Sequence, residues 1–196
     1  MNLLNKLIYL YYNYNMNKLI SQAEKIPLSG DDIYQILNDT TKIYRYSDLH
    51  NIHSIDQLFT SGNSSIMLLF QVESENSGHW CILIKHAKTI YEWFDPYGLK
   101  MDEELKFADY NLRIHNNQRV GHMTALFAQN PNYKVIQNTT QLQRFLKDVN
   151  TCGRHCCVRG LMKNTPLNKY VDLFKNQKND ADYIVSSLTI LFSFIK

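Results

Sequence analysis

Cys152, His79 and Asp95 are the residues whose types and placing could carry nucleophilic chemistry. A thiol reacts as the thiolate, so it needs a nearby base and a local positive potential. Cys152 is followed by Gly153, and the two open a segment that reads as a helix through Met162, stopped by Asn164-Thr165-Pro166. The mouth of such a helix points free N–H groups and the positive end of its dipole at the sulfur. Gly153 would leave room for a substrate backbone, and the Cys152 N–H could donate to a developing oxyanion. His79 stands at the start of one apolar run and Asp95 at the end of the next. In an antiparallel pair, the beginning of one strand lies beside the end of its neighbour. The two side chains are therefore expected to meet at one rim of a sheet, with Asp95 fixing the tautomer of a base, His79, that serves Cys152.

The remaining candidates read more plainly. Cys81, inside an apolar run beside Trp80, is expected to be a small buried hydrophobe, and Cys156 and Cys157 to pack in a core. Cys152, His155, Cys156 and Cys157 are all soft metal ligands, but they crowd one helix without a second paired set, so no metal is expected. His155 lies within reach of Cys152, yet no carboxylate sits at a spacing that would orient it. His86, His115 and His122 are expected to face solvent from loops or polar segments, and Arg154 and Arg159 to pair with acidic neighbours.

The elements that must position these groups follow from periodicity. Ser65 to Val72, Trp80 to Lys85 and Thr89 to Phe94 read as three strands joined by hairpin-length connections, in meander order. Asp95-Pro96-Tyr97-Gly98 ends the third as a turn. Asp102 to Phe107 is expected to start a helix, and Tyr133 to Gln137 to form a fourth short strand. Upstream, Leu3, Leu7, Ile8, Tyr11 and Tyr12 fall at helical spacing within residues 1–25, an amphipathic packing helix. Ser29-Gly30-Asp31-Asp32 caps a short helix carrying Ile33, Ile36 and Leu37. Residues 38–62 read as polar and irregular, with His50 and His53 on loops.

At 196 residues, with 44% hydrophobic and 20% charged, the composition is globular and sized for one domain. The divisions expected are a helical part (1–60), a catalytic core (61–163) and a C-terminal helical extension (164–196). A net charge of +3 tolerates a nucleic-acid partner without demanding one. The three clustered cysteines do not form the spread framework of a disulfide-stapled secreted domain. Lys6 interrupts the N-terminal apolar stretches and no small-residue cleavage site comes after them, so no signal peptide is expected. The apolar tail from Ile184 to Ile195 is too short to cross a bilayer.

GHWCILI (Gly78 to Ile84), WFDPYG (Trp93 to Gly98) and NTCGRHCC (Asn150 to Cys157) occur in the order His, Asp, Cys. The pattern resembles the adenovirus endopeptidase (adenain) and the related SUMO- and ubiquitin-like-specific cysteine proteases. It is most similar to the capsid-maturation proteases of large DNA viruses and virophages, over roughly Ile66 to Met162. The resemblance implies an α+β fold, with a central mixed or antiparallel sheet flanked by helices and the nucleophile at the N-terminus of a central helix. It implies His79 as general base, Asp95 as its acidic partner, Cys152 as nucleophile and Trp80 as the wall of a narrow channel for small substrate residues. Relatives donate a glutamine amide to the oxyanion hole. Gln137, Gln141 and Gln143 compete for that part, with Gln143 the nearest to Cys152. The implied activity is a cysteine endopeptidase acting after small residues such as Gly on viral capsid or core precursors, in the virion and host cytoplasm. The chain would be a monomer that requires no cofactor, with a peptide or DNA activator conceivable. The alternatives are a deubiquitinase or deSUMOylase using the same residues, and an inactive, protease-like binding module.

Overall fold

The apolar run of β2 (Ser65–Ser74) has no polar face to offer water, and the fold covers it on both sides. Ile66, Leu68 and Phe70 enter one buried cluster with Tyr46, Leu49 and Leu58; Met67 and Leu69 enter another with Ile82, Phe94 and Cys156. Period-two alternation with both faces apolar is what a central strand requires. The computed structural model describes residues 15–38, 41–74 and 77–194. Over these the chain is α+β: β1 (Thr41–Arg45), β2, β3 (Ser77–Ala87), β4 (Ile90–Phe94) and β5 (Lys134–Gln137) form a five-stranded sheet in chain order. β2, β3 and β4 make the expected antiparallel meander, and β1 and β5 add parallel strands at its two edges.

Helices cover the sheet. Residues 15–25 are helical (α1), followed by α2 (Gly30–Leu37), α3 (Tyr110–His115), α4 (His122–Ala128), α5 (Cys152–Leu161), α6 (Leu167–Asp172) and α7 (Ala181–Phe194). α2 begins as its sequence predicts: the Ser29 hydroxyl accepts from the Asp32 N–H, and the Asp32 carboxylate accepts from the Ser29 N–H. Leu3, Leu7, Ile8, Tyr11 and Tyr12, expected on the first helix, lie outside the described residues.

Three expectations are corrected. Residues 38–62 are not irregular: Thr41–Arg45 is a strand, and Tyr46–Asn51 and Ile55–Gly62 are short 3-10 helices, the first carrying His50. A five-residue edge strand without clean alternation gives little periodic signal. The element after Asp102 is a 3-10 turn, Glu103–Phe107, entered through a left-handed Asp102 (φ 67°). His115 and His122, expected on loops or polar segments, lie on α3 and α4. His122 opens α4 half-buried, its Nε2 2.8 Å from the Asn117 carbonyl oxygen.

Two close approaches set the frame of the site. The β2–β3 register shifts between Phe70 and Ser74, and a Cβ at Gly78 would stand 1.8 Å from the Phe70 carbonyl oxygen. Only glycine lets the two backbones meet there, one residue before His79. α5 lies against β3 with α2 and α7 beside it, and every residue from Cys152 to Gly160 is buried. Its far end is locked by Arg159, whose Nε and Nη2 donate to the two Glu92 carboxylate oxygens on β4 at 2.6 and 2.8 Å. The guanidinium also lies 4.9 Å over the Tyr170 ring. Both partners of this pair are at most 1% exposed. Arg159→Ala would leave Glu92 charged in the core, and its unfolding free energy in urea is expected to fall by about 3–5 kcal/mol.

Candidate active site

The sheet register brings His79 and Asp95 together. Ile82 pairs with Phe94, so the same register carried back along β3 sets Cys81 level with Asp95 and His79 level with Tyr97. The side chains agree: the His79 ring stacks on Tyr97 (centroids 4.6 Å apart, 14° between planes), and Cys81 Sγ lies 3.4 Å from Asp95 Oδ2. His79 Nε2 is 3.2 Å from Asp95 Oδ1. That oxygen also accepts the Tyr97 N–H at 2.7 Å, and Asn138 Nδ2 donates to the Asp95 carbonyl oxygen at 2.8 Å. The turn Asp95-Pro96-Tyr97-Gly98 is thus pinned from both sides. Cys152 is among the groups that raise the proton affinity of His79, and with Nε2 turned to Asp95 the ring nitrogen left free is Nδ1. All three groups are at most 6% exposed.

A second carboxyl faces the same ring. Glu104, 2% exposed on the 3-10 turn, places Oε1 3.8 Å from His79 Nε2. Burial acts to lower the proton affinity of His79. The charge of Asp95, the hydrogen bonds to Asp95 and Cys152, and the charge of Glu104 outweigh it and hold the imidazole well above the ordinary histidine range. Burial is also the largest influence on Glu104, pushing its carboxyl up to about 7; His79 opposes this and Asp95 adds to it.

The mouth of α5 is built by residues distant in sequence. No side chain caps the helix, because the Thr151 hydroxyl donates to Asp182 on α7 instead. Asp182 also accepts from Arg144 through its backbone N–H (3.1 Å) and Nε (2.9 Å), and lies 3.0 Å from His155 Nε2. Burial acts to raise the Asp182 carboxyl, but the bonds from His155, Thr151 and Arg144 prevail and hold it below the ordinary carboxylate value. This corrects the expectation that no carboxylate orients His155: one does, from 27 residues away. The open space expected over Gly153 is filled by the chain itself. A Cβ there would come within 3.2 Å of both Leu28 and Trp80. Trp80 Nε1 donates to the Leu28 carbonyl oxygen at 3.1 Å, so the two residues form one wall beside Cys152.

Of the three glutamines, Gln143 is the one buried beside the turn. Its Nε2 donates to the Tyr97 hydroxyl and the Val149 carbonyl oxygen, each at 3.1 Å, while Oε1 is buried without a hydrogen-bond partner. Gln141 is exposed and donates to the Gln143 carbonyl oxygen; Gln137, at the end of β5, lines a cavity elsewhere. That cavity, about 720 Å³, opens between β5 and residues 163–175 and includes none of His79, Asp95 or Cys152.

Among the described residues, His79, Cys81 and Asp95 converge closely enough to hold a metal, with donor atoms within 4.8 Å of one another. A metal would need the Cys81 thiolate, whereas burial and then the charge of Asp95 push that thiol well up. Burial likewise raises Cys156 and Cys157, and Cys156 Sγ donates to the Trp80 carbonyl oxygen at 3.3 Å. We assign no metal to either group. Arg154, expected to pair with acidic neighbours, donates instead to the carbonyls of Ala23 and Ile26 and to the Thr189 hydroxyl. His86 is half-buried on β3, 3.0 Å from Glu92. Sequence reasoning missed Tyr97, Glu104, Asn138 and Asp182. Only Tyr97 had a signal, its place in the turn motif after Asp95.

No family model matches the chain. It is 32% identical over 177 residues to uncharacterized protein V9 of Sputnik virophage, an alignment covering 88% of this chain and 99% of that protein. The chain belongs to the virophage V9 family. Among solved structures, this V9-family chain is similar to the C-terminal Ulp1 protease domain in complex with Smt3, the yeast ortholog of SUMO (TM-score 0.41, 14% identity, 90% of this chain and 82% of that one). It is also similar to the central domain of uncharacterized Lpg1148 protein from Legionella pneumophila (TM-score 0.40, 16% identity, 86% and 97%). At these scores neither likeness assigns a role to any residue. No described helix is long and apolar enough to cross a membrane.

The shifts of His79 and Asp182 have opposite consequences for stability. Nitrogen-15 NMR should find the His79 imidazolium persisting well above the ordinary histidine value of 6.5. The stability it contributes should be complete below the ordinary histidine value of 6.5 and disappear as pH rises through the raised one. Asp182 has the opposite sign: its contribution is present above the ordinary value of 3.8 and is lost as pH falls through the lowered one. Asp182→Asn should therefore be less stable at pH 7, by about 1.5–3 kcal/mol in urea unfolding. The difference from wild type should shrink in strong acid.

Proposed function

We propose that this chain is a cysteine endopeptidase, with Cys152 as nucleophile, His79 as base and Asp95 as the residue that orients the base. One observation carries the reading: a buried imidazole that meets a carboxylate on Nε2 and whose proton affinity is raised by the Cys152 thiol, the first residue of a buried helix. In the thiolate–imidazolium pair the Cys152 proton already rests on His79 Nδ1, and the sulfur attacks the peptide carbonyl carbon. The negative charge moves to the carbonyl oxygen, where the Cys152 N–H and Gln143 Nε2 would donate. To do so, Gln143 must release one of its two present acceptors. The C–N bond then breaks, His79 gives its proton to the departing amine, and a thioester remains. A water attacks that thioester, loses a proton to His79, and the proton returns to the sulfur as the acid leaves.

The wall of Trp80 and Leu28 over Gly153 supports small residues, such as Gly, beside the cut bond. The virophage relative supports a viral setting, and within it the substrate class of this proposal is viral capsid or core precursors. Wild type incubated with virophage structural precursors should yield discrete fragments. Cys152→Ala should slow their formation by at least about 10³-fold and Asp95→Asn by about 10²–10⁴-fold. Undiminished cleavage by Cys152→Ala would refute the proposal. Cutting of ubiquitin- or SUMO-linked conjugates but no viral precursor would reassign the substrate while keeping the chemistry.

A further inference from the structure

His79 is faced by two carboxyls, and the proposed cycle uses one of them. Asp95 meets Nε2 at 3.2 Å, and Glu104 Oε1 stands 3.8 Å from the same nitrogen. Glu104 is 2% exposed, its Oε1 is buried without a hydrogen-bond partner, and Asp95 acts on the same carboxyl, raising its proton affinity. A surface carboxylate would be solvated and a structural one fully bonded; this one is neither. Two buried carboxyls that face one imidazole nitrogen cannot both ionise freely, so one of them is disposed to carry a proton. The ionisable groups around Glu104 are His79 and Cys81 from β3, Asp95 and Tyr97 from the turn, and Lys106 on its own 3-10 turn. Among these groups, apart from Lys106, which shares its turn, only His79 can bear a positive charge.

Resting on the reading of His79 as base, we propose that Glu104 is a positioning residue: a second acid that, through Asp95 and His79, sets how firmly the imidazole keeps the proton taken from Cys152. In its neutral form Glu104 donates its O–H to Asp95 and holds that carboxylate toward the ring. When it ionises, the O–H donor is lost and a second negative charge stands beside Nε2, strengthening the imidazolium. Its carboxyl, pushed up to about 7 first by burial, changes form within the range where the thiolate–imidazolium pair must operate. The site would thus carry its own pH dependence, separate from that of the cysteine.

Glu104→Gln keeps a donor toward Asp95 and cannot ionise, so it should behave as wild type held in the low-pH form. The test is the rate of Cys152 alkylation by iodoacetamide from pH 5 to 9, read by peptide mapping, on wild type, Glu104→Gln and His79→Ala. Wild type and Glu104→Gln should match near pH 5.5 and diverge above pH 7. By NMR, His79 in the variant should lose its proton at a pH lower by about 1. Matching rates at low pH exclude simple misfolding, which would depress the whole profile. Superimposed wild-type and Glu104→Gln profiles, or a variant slowed equally at every pH, would overturn the role of Glu104 alone. Wild-type alkylation no faster than that of His79→Ala would overturn the reading of His79 as base, and this proposal with it.

Discussion

An imidazole withdrawn from water loses its charged form unless a carboxylate meets it, and in this chain the β3–β4 register arranges that meeting. Once Ile82 is paired with Phe94, the neighbouring positions have no freedom: Cys81 and His79 come level with Asp95 and Tyr97. A slip of one residue would turn His79 to the opposite face of the sheet, toward α5, and Asp95 would lose the imidazole. The glycine at position 78 matters for the same reason, since the Phe70 carbonyl occupies the space any side chain would need. Tyr97 adds the last constraint by stacking on the ring while its N–H holds Asp95 Oδ1.

The sheet alone would leave the proposed nucleophile unplaced, because His79 shares the face of Cys81 and Leu83 whereas α5 covers the face of Ile82 and Ile84. The ring meets Cys152 only because both stand at the rim. Buried polar clamps hold the helix in that position. At its far end, Arg159 is joined to Glu92 on β4; at its mouth, Thr151 and His155 converge with Arg144 on Asp182 of α7. Apolar packing could let a helix slide along a sheet, but directional ion pairs fix its advance. The same Asp182 anchors the segment after Gln143 through Arg144, so one buried carboxylate ties the helix mouth to the glutamine beside it.

Much of this is legible in the residues. The three central strands, the capped helix at Ser29 and the helix opening at Cys152 have strong local signals: long apolar runs, a capping box, and a stop at Asn164-Thr165-Pro166. The expectation that His79 and Asp95 share a rim needs only strand lengths and a hairpin. β1, α3 and α4 are not legible, being too short to establish a period. Gly153 reads in sequence as open space, and the space is closed by Leu28, whose loop reaches the helix mouth from far upstream.

Sequence by itself therefore determined the local elements and the pairing of His79 with Asp95, because periodicity and antiparallel geometry act over a few neighbouring residues. Tertiary structure decided which further charges share the site. Glu104 reaches His79 from a separate turn, and Asp182 reaches His155 from the C-terminal helix. Such contacts leave no local signature: a buried charge is stabilised by whichever partner the packed fold delivers, and chain separation does not enter Coulomb's law.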